Sequence, residues 1–255
     1  MIATALAIAA PLAATIGGLT YATVAPACSF WGAVTSRGPR GSGKIALTFD
    51  DGPTPGATDR VLDVLGEAGV RAAFFVVGAN VRRYAGLLRR VHDEGHLIGN
   101  HSFSHSHYGV MGMQRYWDDE VRATDETIEA VLGVRPAMFR PPMGIKTWHT
   151  TGAARRHGHA LVTWSRRAID GLPTTPQRIV ERLGELAAGD IILLHDGVEP
   201  HARHTDRSAT VEAIAPLLDR IKSRGLSPVR LDELTGLRGY QSRGHTTDSA
   251  ARAGT

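Results

Sequence analysis

Residues 45–53 read IALTFDDGP: an apolar run, two adjacent aspartates, then glycine and proline. The run has the composition of a buried strand, and Gly-Pro ends it. Two carboxylates side by side raise one another's pKa unless a cation lies between them. The stretch is therefore either an ordinary Asp-Gly turn or the end of a strand delivered into a site for a positive ion. The rest of the chain separates the two readings.

Working outward, similar runs recur at AAFFVV (72–77), HLIGN (96–100), AMFR (137–140), ALVTW (160–164), DIILLH (190–195) and SPVRL (227–231). Between them apolar residues fall at helical spacing, as in Val61, Leu62, Val64 and Leu65, or Val211, Ile214, Leu217, Leu218 and Ile221. Strands alternating with helices imply a parallel sheet with helical crossovers. Seven such units without an evident edge strand favour an α/β fold of the barrel type, with a doubly wound open sheet as the alternative. Asp50, Asp51, His101, Arg140, Asp170 and His195 all fall at or just beyond carboxyl ends of these strands. That rim is where parallel α/β folds build active sites.

The chain has 255 residues and a formal net charge of +4, with its basic residues interleaved with acidic ones. That pattern reads as a solvated surface, and no nucleic acid is expected as a partner. The single cysteine, Cys28, excludes an internal disulfide framework. No charged side chain occurs before Arg37, and residues 2–19 are almost wholly apolar. Residues 1–30 are expected to be a signal peptide, with a small-residue cleavage site at APA (25–27), or an uncleaved membrane anchor. Either implies export to the cell envelope, with attachment favoured over release. A flexible linker is expected over 31–43, the folded α/β domain over 44–236 and a disordered tail over 237–255. GPRGSGKI (38–45) approaches a phosphate-binding loop, but Ile45 replaces the required hydroxyl residue and the segment precedes a strand instead of joining strand to helix.

HSFSH (101–105) places two histidines four residues apart, suited to one cation from a helical turn or a compact loop. Two imidazoles and one carboxylate make a three-ligand set with a position left open, as in hydrolytic zinc sites. Asp51 can supply the carboxylate. Asp50 then stands beside the cation, free to take a proton from its water, and the cation makes the paired carboxylates tolerable.

TFDDGP (48–53), HSFSH (101–105), RPPMG (140–144), WSRRAIDG (164–171) and LLH (193–195) occur in the order of the five motifs of the polysaccharide deacetylases. Over about residues 44–236 the chain resembles that family, also called carbohydrate esterase family 4 or the NodB homology domain. The resemblance implies a distorted seven-stranded (β/α) barrel of the TIM-barrel kind and metal-dependent hydrolysis of acetyl groups on amino-sugar polymers. It implies Asp51, His101 and His105 as ligands of one divalent metal, zinc first, with cobalt, nickel or iron also suited to such ligands. Asp50 would be the general base, with Arg140 keeping it ionised and aimed. His195 would be the general acid that protonates the leaving amine, and Asp170 would orient it and favour its charged form. The backbone N–H of Met143 would help stabilise the oxyanion, and Leu193 would line the pocket for the acetyl methyl group.

Segment four departs from the family pattern. Gly171 follows Asp170 where tryptophan is usual, and Ser165 stands where an acidic residue is common. Trp148 or Trp164 could replace the missing pocket wall, and an altered substrate range is expected. The expected partner is an acetylated amino-sugar polymer or oligomer, peptidoglycan before chitin-type chains, acted on by a monomer. Two other readings are a metal-free relative that only binds envelope glycans and an amidase acting on a non-sugar amide. Arg203, His204 and Arg207 lie in a long segment beside His195 with no role assigned beyond proximity.

Overall fold

The computed structural model describes residues 2–200 and 205–242, with side chains at all of these but 2–12 and 110. Its strands are β1 (Lys44–Asp50), β2 (Ala73–Val76), β3 (Leu97–Asn100), β4 (Met138–Phe139), β5 (Ala160–Leu161), β6 (Arg166–Arg167), β7 (Ile191–His195) and β8 (Ser227–Pro228). Every pairing is parallel, in the order β5-β4-β3-β2-β1-β7-β6, with β8 on the first residues of β1. The α-helices among the described residues are α1 (Ile2–Val24), α2 (Thr58–Glu67), α3 (Gly78–Arg83), α4 (Ala85–Asp93), α5 (Gln114–Leu132), α6 (Trp148–Arg156), α7 (Pro176–Arg182), α8 (Ser208–Ser223) and α9 (Leu231–Thr235).

Alternation along the strands creates two cores. Ile45, Leu47 and Phe49 of β1, Phe74 and Val76 of β2, and Ile192 and Leu194 of β7 face outward. There they pack on Val61, Leu62 and Leu65 of α2, Leu88 and Val91 of α4, and Ile214, Leu217 and Ile221 of α8. The helical stripes expected from the sequence are these buried faces. The opposite parity, Ala46, Phe75, Ile191 and Leu193, points into the barrel with Met138, Val162 and Trp164. Asp50 and His195 share that inward parity at the ends of their strands, and they pair in register.

The fifth strand differs from expectation. Residues 160–164 do not run as one strand. β5 pairs with β4, and after a break the chain resumes as β6 on β7. Val162 N–H still donates to Phe139 O at 2.9 Å, whereas Ser165 N–H donates to Ile191 O at 3.0 Å. One segment of eight residues, 160–167, thus supplies both ends of the strand order. This closes the distorted barrel and excludes the open doubly wound sheet.

The packed chain is also longer at both ends than 44–236. Residues 31–43 were expected to be a free linker, yet Thr35 bridges to Val162, Gly38 N–H donates to Gly189 O at 2.8 Å, and Arg37 pairs with Asp190 at 2.5 Å. At the far end Tyr240 Oη accepts from Ile98 N–H at 3.2 Å, and Gln241 N–H reaches Arg135 O at 2.9 Å. The rest of the expected disordered tail, from 243 on, lies outside the described residues. Among the residues whose side chains are described, which include only the second half of α1, no helix is long and apolar enough to cross a membrane. The apolar run 2–19 falls largely on positions whose side chains are not described.

Candidate active site

Adjacent residues of a regular strand point to opposite faces, so Asp50 and Asp51 could not share a site if β1 simply continued. Asp51 instead takes φ 76°, a left-handed conformation uncommon outside glycine. The turn swings its carboxylate to the same side as Asp50. Tight packing fixes the turn: a Cβ on Gly52 would overlap the Asp196 carboxylate, and one on Gly197 would overlap the Asp51 backbone.

The HSFSH segment is a compact loop after β3, with Ser102 at φ 66° and His105 at φ 49°. Such conformations cost on the order of 1–3 kcal/mol each and persist where surroundings impose them. Here Glu120 of α5 accepts the Phe103 and Ser104 N–H groups at 2.9 and 2.8 Å. His101 Nδ1–H donates to Arg140 O at 2.7 Å, which leaves Nε2 as the free nitrogen, 3.5 Å from Asp51 Oδ1. His105 Nδ1 is bonded to Glu199 Oε2 at 2.7 Å, and its Nε2 lies 3.3 Å from the same Asp51 oxygen. Asp51 Oδ1 is buried and accepts no hydrogen bond among the described residues.

An orphaned carboxylate oxygen and two imidazole nitrogens, all within 4.8 Å of one another, fit a divalent cation and its usual ligand chemistry. Burial alone would raise Asp51, but the neighbouring His105 and His101 imidazoles outweigh it and hold the carboxyl far below the ordinary range. Burial would lower His105, yet Asp51 and Glu199 raise it. In ordinary metal sites, too, an outer carboxylate fixes the tautomer of a ligating histidine.

Beside this set, Asp50 Oδ1 receives Arg140 Nη1–H at 2.6 Å, while Oδ2 stands 3.6 Å from His101 Nε2. Arg140 has no exposed surface. It donates further to Thr48 Oγ1 at 2.8 Å and Thr163 O at 3.0 Å, and its guanidinium sits 4.1 Å from the Phe75 ring centre.

Across the cleft, His195 Nδ1–H donates to Asp170 Oδ1 at 2.8 Å. Asp170 Oδ2 accepts both the His195 backbone N–H at 2.8 Å and Thr210 Oγ1–H at 2.9 Å. Burial would lower the imidazole, but Asp170, helped by Asp51 and Asp50, reverses this and raises His195 to about 9. Burial raises Asp196 to about 7, with Asp51 and Asp50 pushing the same way and a 2.6 Å hydrogen bond from Thr58 opposing.

Asp50, Asp51, His101, His105 and His195 line a cleft of about 440 Å³ whose apolar wall includes Met143, Trp164, Ile169, Leu172 and Leu193. Met143 holds φ 57°, and its N–H finds no acceptor among the described residues. Of the two tryptophans weighed for the missing wall, Trp164 lines the cleft, its benzo ring close against Gly144, whereas Trp148 stands in solvent. Gly171 leaves the edge of the His195 ring open. Ser165 is structural: its Oγ–H donates to Asp190 Oδ1 at 2.8 Å and the same oxygen accepts Ile191 N–H at 3.0 Å. Arg207 reaches the cleft, its Nε–H bonded to Gly197 O at 2.8 Å, and Arg203 and His204 lie outside the described residues.

The sequence reading missed Glu199, Glu120, Thr210 and Asp196. Only Asp196 carried a signal, as a second acidic residue directly after the His195 strand.

Comparison with known proteins places the chain in a family. The family described as polysaccharide deacetylase matches residues 37–162. A peptidoglycan-N-acetylglucosamine deacetylase of Bacillus cereus is 34% identical over 80% of this chain and 93% of its own length. A chitooligosaccharide deacetylase of Bradyrhizobium is 34% identical over 76% of this chain and 91% of its own. A crystal structure of a peptidoglycan N-acetylglucosamine deacetylase in complex with 4-naphthalen-1-yl-N-oxidanyl-benzamide superposes with a TM-score of 0.74 at 27% identity, over 82% of this chain and 95% of that one.

Proposed function

We propose, from the premise that the chain belongs to the polysaccharide deacetylase family, that it removes N-acetyl groups from an amino-sugar polymer or oligomer of the cell envelope. Peptidoglycan is the first candidate and chitin-type oligosaccharide the second, because relatives named for both resemble the chain over most of its length. The observation that carries the reading is a matched pair of proton-handling groups facing one cleft. Asp50 is held by a buried arginine, and His195 is held by a buried aspartate.

Asp51, His101 and His105 would hold the cation, with zinc preferred for this nitrogen and carboxylate set. A divalent ion so held polarises the amide carbonyl and makes water a stronger nucleophile near neutral pH. Arg140 donates to one oxygen of Asp50 and fixes it, leaving the other turned toward the cleft to accept the attacking water's proton. His195, raised by Asp170, enters the reaction protonated and gives its Nε2 proton to the departing sugar amine. Met143 N–H, which has no acceptor among the described residues, would donate to the oxygen that becomes negative. Leu193 and Trp164 form the apolar wall suited to the acetyl methyl group.

A glycan-binding protein needs none of the Asp50–Arg140 and His195–Asp170 pairing, so the catalytic reading is preferred to that alternative. Incubating the protein with peptidoglycan fragments and with chitooligosaccharides, and following free acetate with and without a chelator, tests it. Acetate released from neither, with zinc supplied, would sink the reading.

A further inference from the structure

The chain just after the apolar N-terminal run is fastened to segments that support the active site. Lys146, 1% exposed, gives its backbone N–H to Thr23 O at 3.0 Å and its ammonium to Ala25 O at 2.7 Å. Thr163 gives its Oγ1–H to Pro26 O at 2.8 Å and its N–H to Thr35 O at 2.9 Å. The Thr163 carbonyl in turn holds Arg140, and Arg140 holds Asp50. Hydrogen bonds therefore run without a gap from residues 23–35 to the catalytic base. Cleavage at the small residues 25–27 would strip the acceptor from a buried ammonium, an expensive loss.

The same corner of the molecule is apolar and open to solvent. Tyr21, Phe30 and Trp148 are each 66% exposed. Phe30 packs edge-on against Trp31 at 4.9 Å, and the Trp31 carbonyl accepts Thr151 Oγ1–H at 2.6 Å, one helical turn from Trp148. Ile16, Leu19 and Val24 of α1 are exposed as well. Helix α1 has 23 residues and no charged side chain, a length of about 34 Å at 1.5 Å per residue. A hydrocarbon core is about 30 Å thick, and exposed aromatics gathered where an uncharged helix ends mark a lipid–water boundary.

We propose that α1 is retained in the working enzyme and that Tyr21, Phe30 and Trp148 rest on the surface of a lipid bilayer. The cleft, with Met143 on its rim three residues from Lys146, then opens close to the membrane and serves acetylated amino-sugar chains lying near it. The nature of those chains rests on the deacetylase reading; the lipid contact does not.

The test uses the full chain, exported from a bacterial host and extracted from its membranes. Intact mass is expected to show the residues preceding 23 still attached. The protein is then reconstituted in vesicles of phosphatidylethanolamine and phosphatidylglycerol, with and without brominated acyl chains. Brominated lipid is expected to quench the tryptophan emission, and Trp148→Phe, a change at an exposed site, to remove the larger part of that quenching. A mature chain beginning at or after residue 28, or emission that brominated lipid leaves unchanged, overturns the proposal. So does quenching that Trp148→Phe does not reduce. No readout involves turnover, so failure here leaves the deacetylase reading intact, and failure of that reading leaves this one intact.

Discussion

Replacing Asp170 by asparagine changes one atom and removes the charge that holds His195 protonated. The gap between an ordinary imidazole at 6.5 and His195 at about 9 is worth about 3 kcal/mol in favour of the charged form. Asparagine can still accept from Nδ1–H through its oxygen. It cannot balance a positive ring, and its NH₂ would face the His195 and Thr210 donors. Burial then works unopposed by this partner and returns the imidazole to 6.5 or lower. At pH 8 a group at about 9 is about nine-tenths protonated, while one at 6.5 is about 3% protonated, so the supply of acid falls ~30-fold. A cation held by Asp51, His101 and His105 lowers His195 in both proteins and leaves the difference between them. The assay is acetate release against pH. The Asp170→Asn enzyme is expected to lose its alkaline activity first, with the descending limb displaced by about two pH units or more from that of the parent. The same charge pair contributes to stability, with a definite sign. A raised folded-state pKa stabilises fully below 6.5, and that contribution disappears as pH rises through about 9. Thermal unfolding of the parent should therefore weaken between those values, and the variant's should be flatter. Descending limbs that coincide in parent and variant would refute the assignment of His195 as the acid, however low the variant's rate.

Four further outcomes are expected. Arg140→Met leaves the Asp50 carboxylate buried without its partner and should cost about 3–5 kcal/mol in urea unfolding, besides its loss of activity. Glu199→Gln removes the carboxylate that fixes the His105 tautomer and should weaken zinc affinity about 10–100-fold in a chelator competition, with activity returning at high zinc. Gly197→Ala forces a Cβ into the Asp51 backbone and should lower the melting temperature by the equivalent of about 1–3 kcal/mol or more. Gly66→Ala, in helix α2 with nothing near its Cβ, should raise stability by about 0.5–1 kcal/mol and serve as the contrast.

Strand ends and helix faces were legible because both follow from periodicity. The parity that sends Phe49 to the helices also sends Asp50 and Thr48 inward, and the pattern of β7 does the same for Leu193 and His195. Where periodicity stops, legibility stopped with it. Residues 162–165 contain Val, Thr and Trp and look like more strand, yet the chain must leave β4 for β7 there, a requirement of barrel closure that no local pattern encodes. The segment 31–43 has linker composition because it forms few regular pairings, not because it is unattached; Thr35 and Arg37 are fastened one contact at a time. Glu199, Glu120 and Thr210 are single polar residues on segments remote in sequence from the groups they hold, with nothing in their own neighbourhoods to mark them.

The two aspartates of TFDDGP show the division most sharply. Their adjacency called for a cation, because repelling carboxylates need a reason to be neighbours, and the buried, unpartnered Oδ1 of Asp51 fits one. Yet adjacency on a strand also predicts opposite faces. Only the left-handed turn at Asp51, closed by two glycines lacking room for a Cβ, lets one carboxylate face the ligand set while its neighbour keeps a free oxygen for a proton. The chemistry was written in residue types, and the backbone distortion that makes it usable was written in Gly52 and Gly197, nearly 150 positions apart.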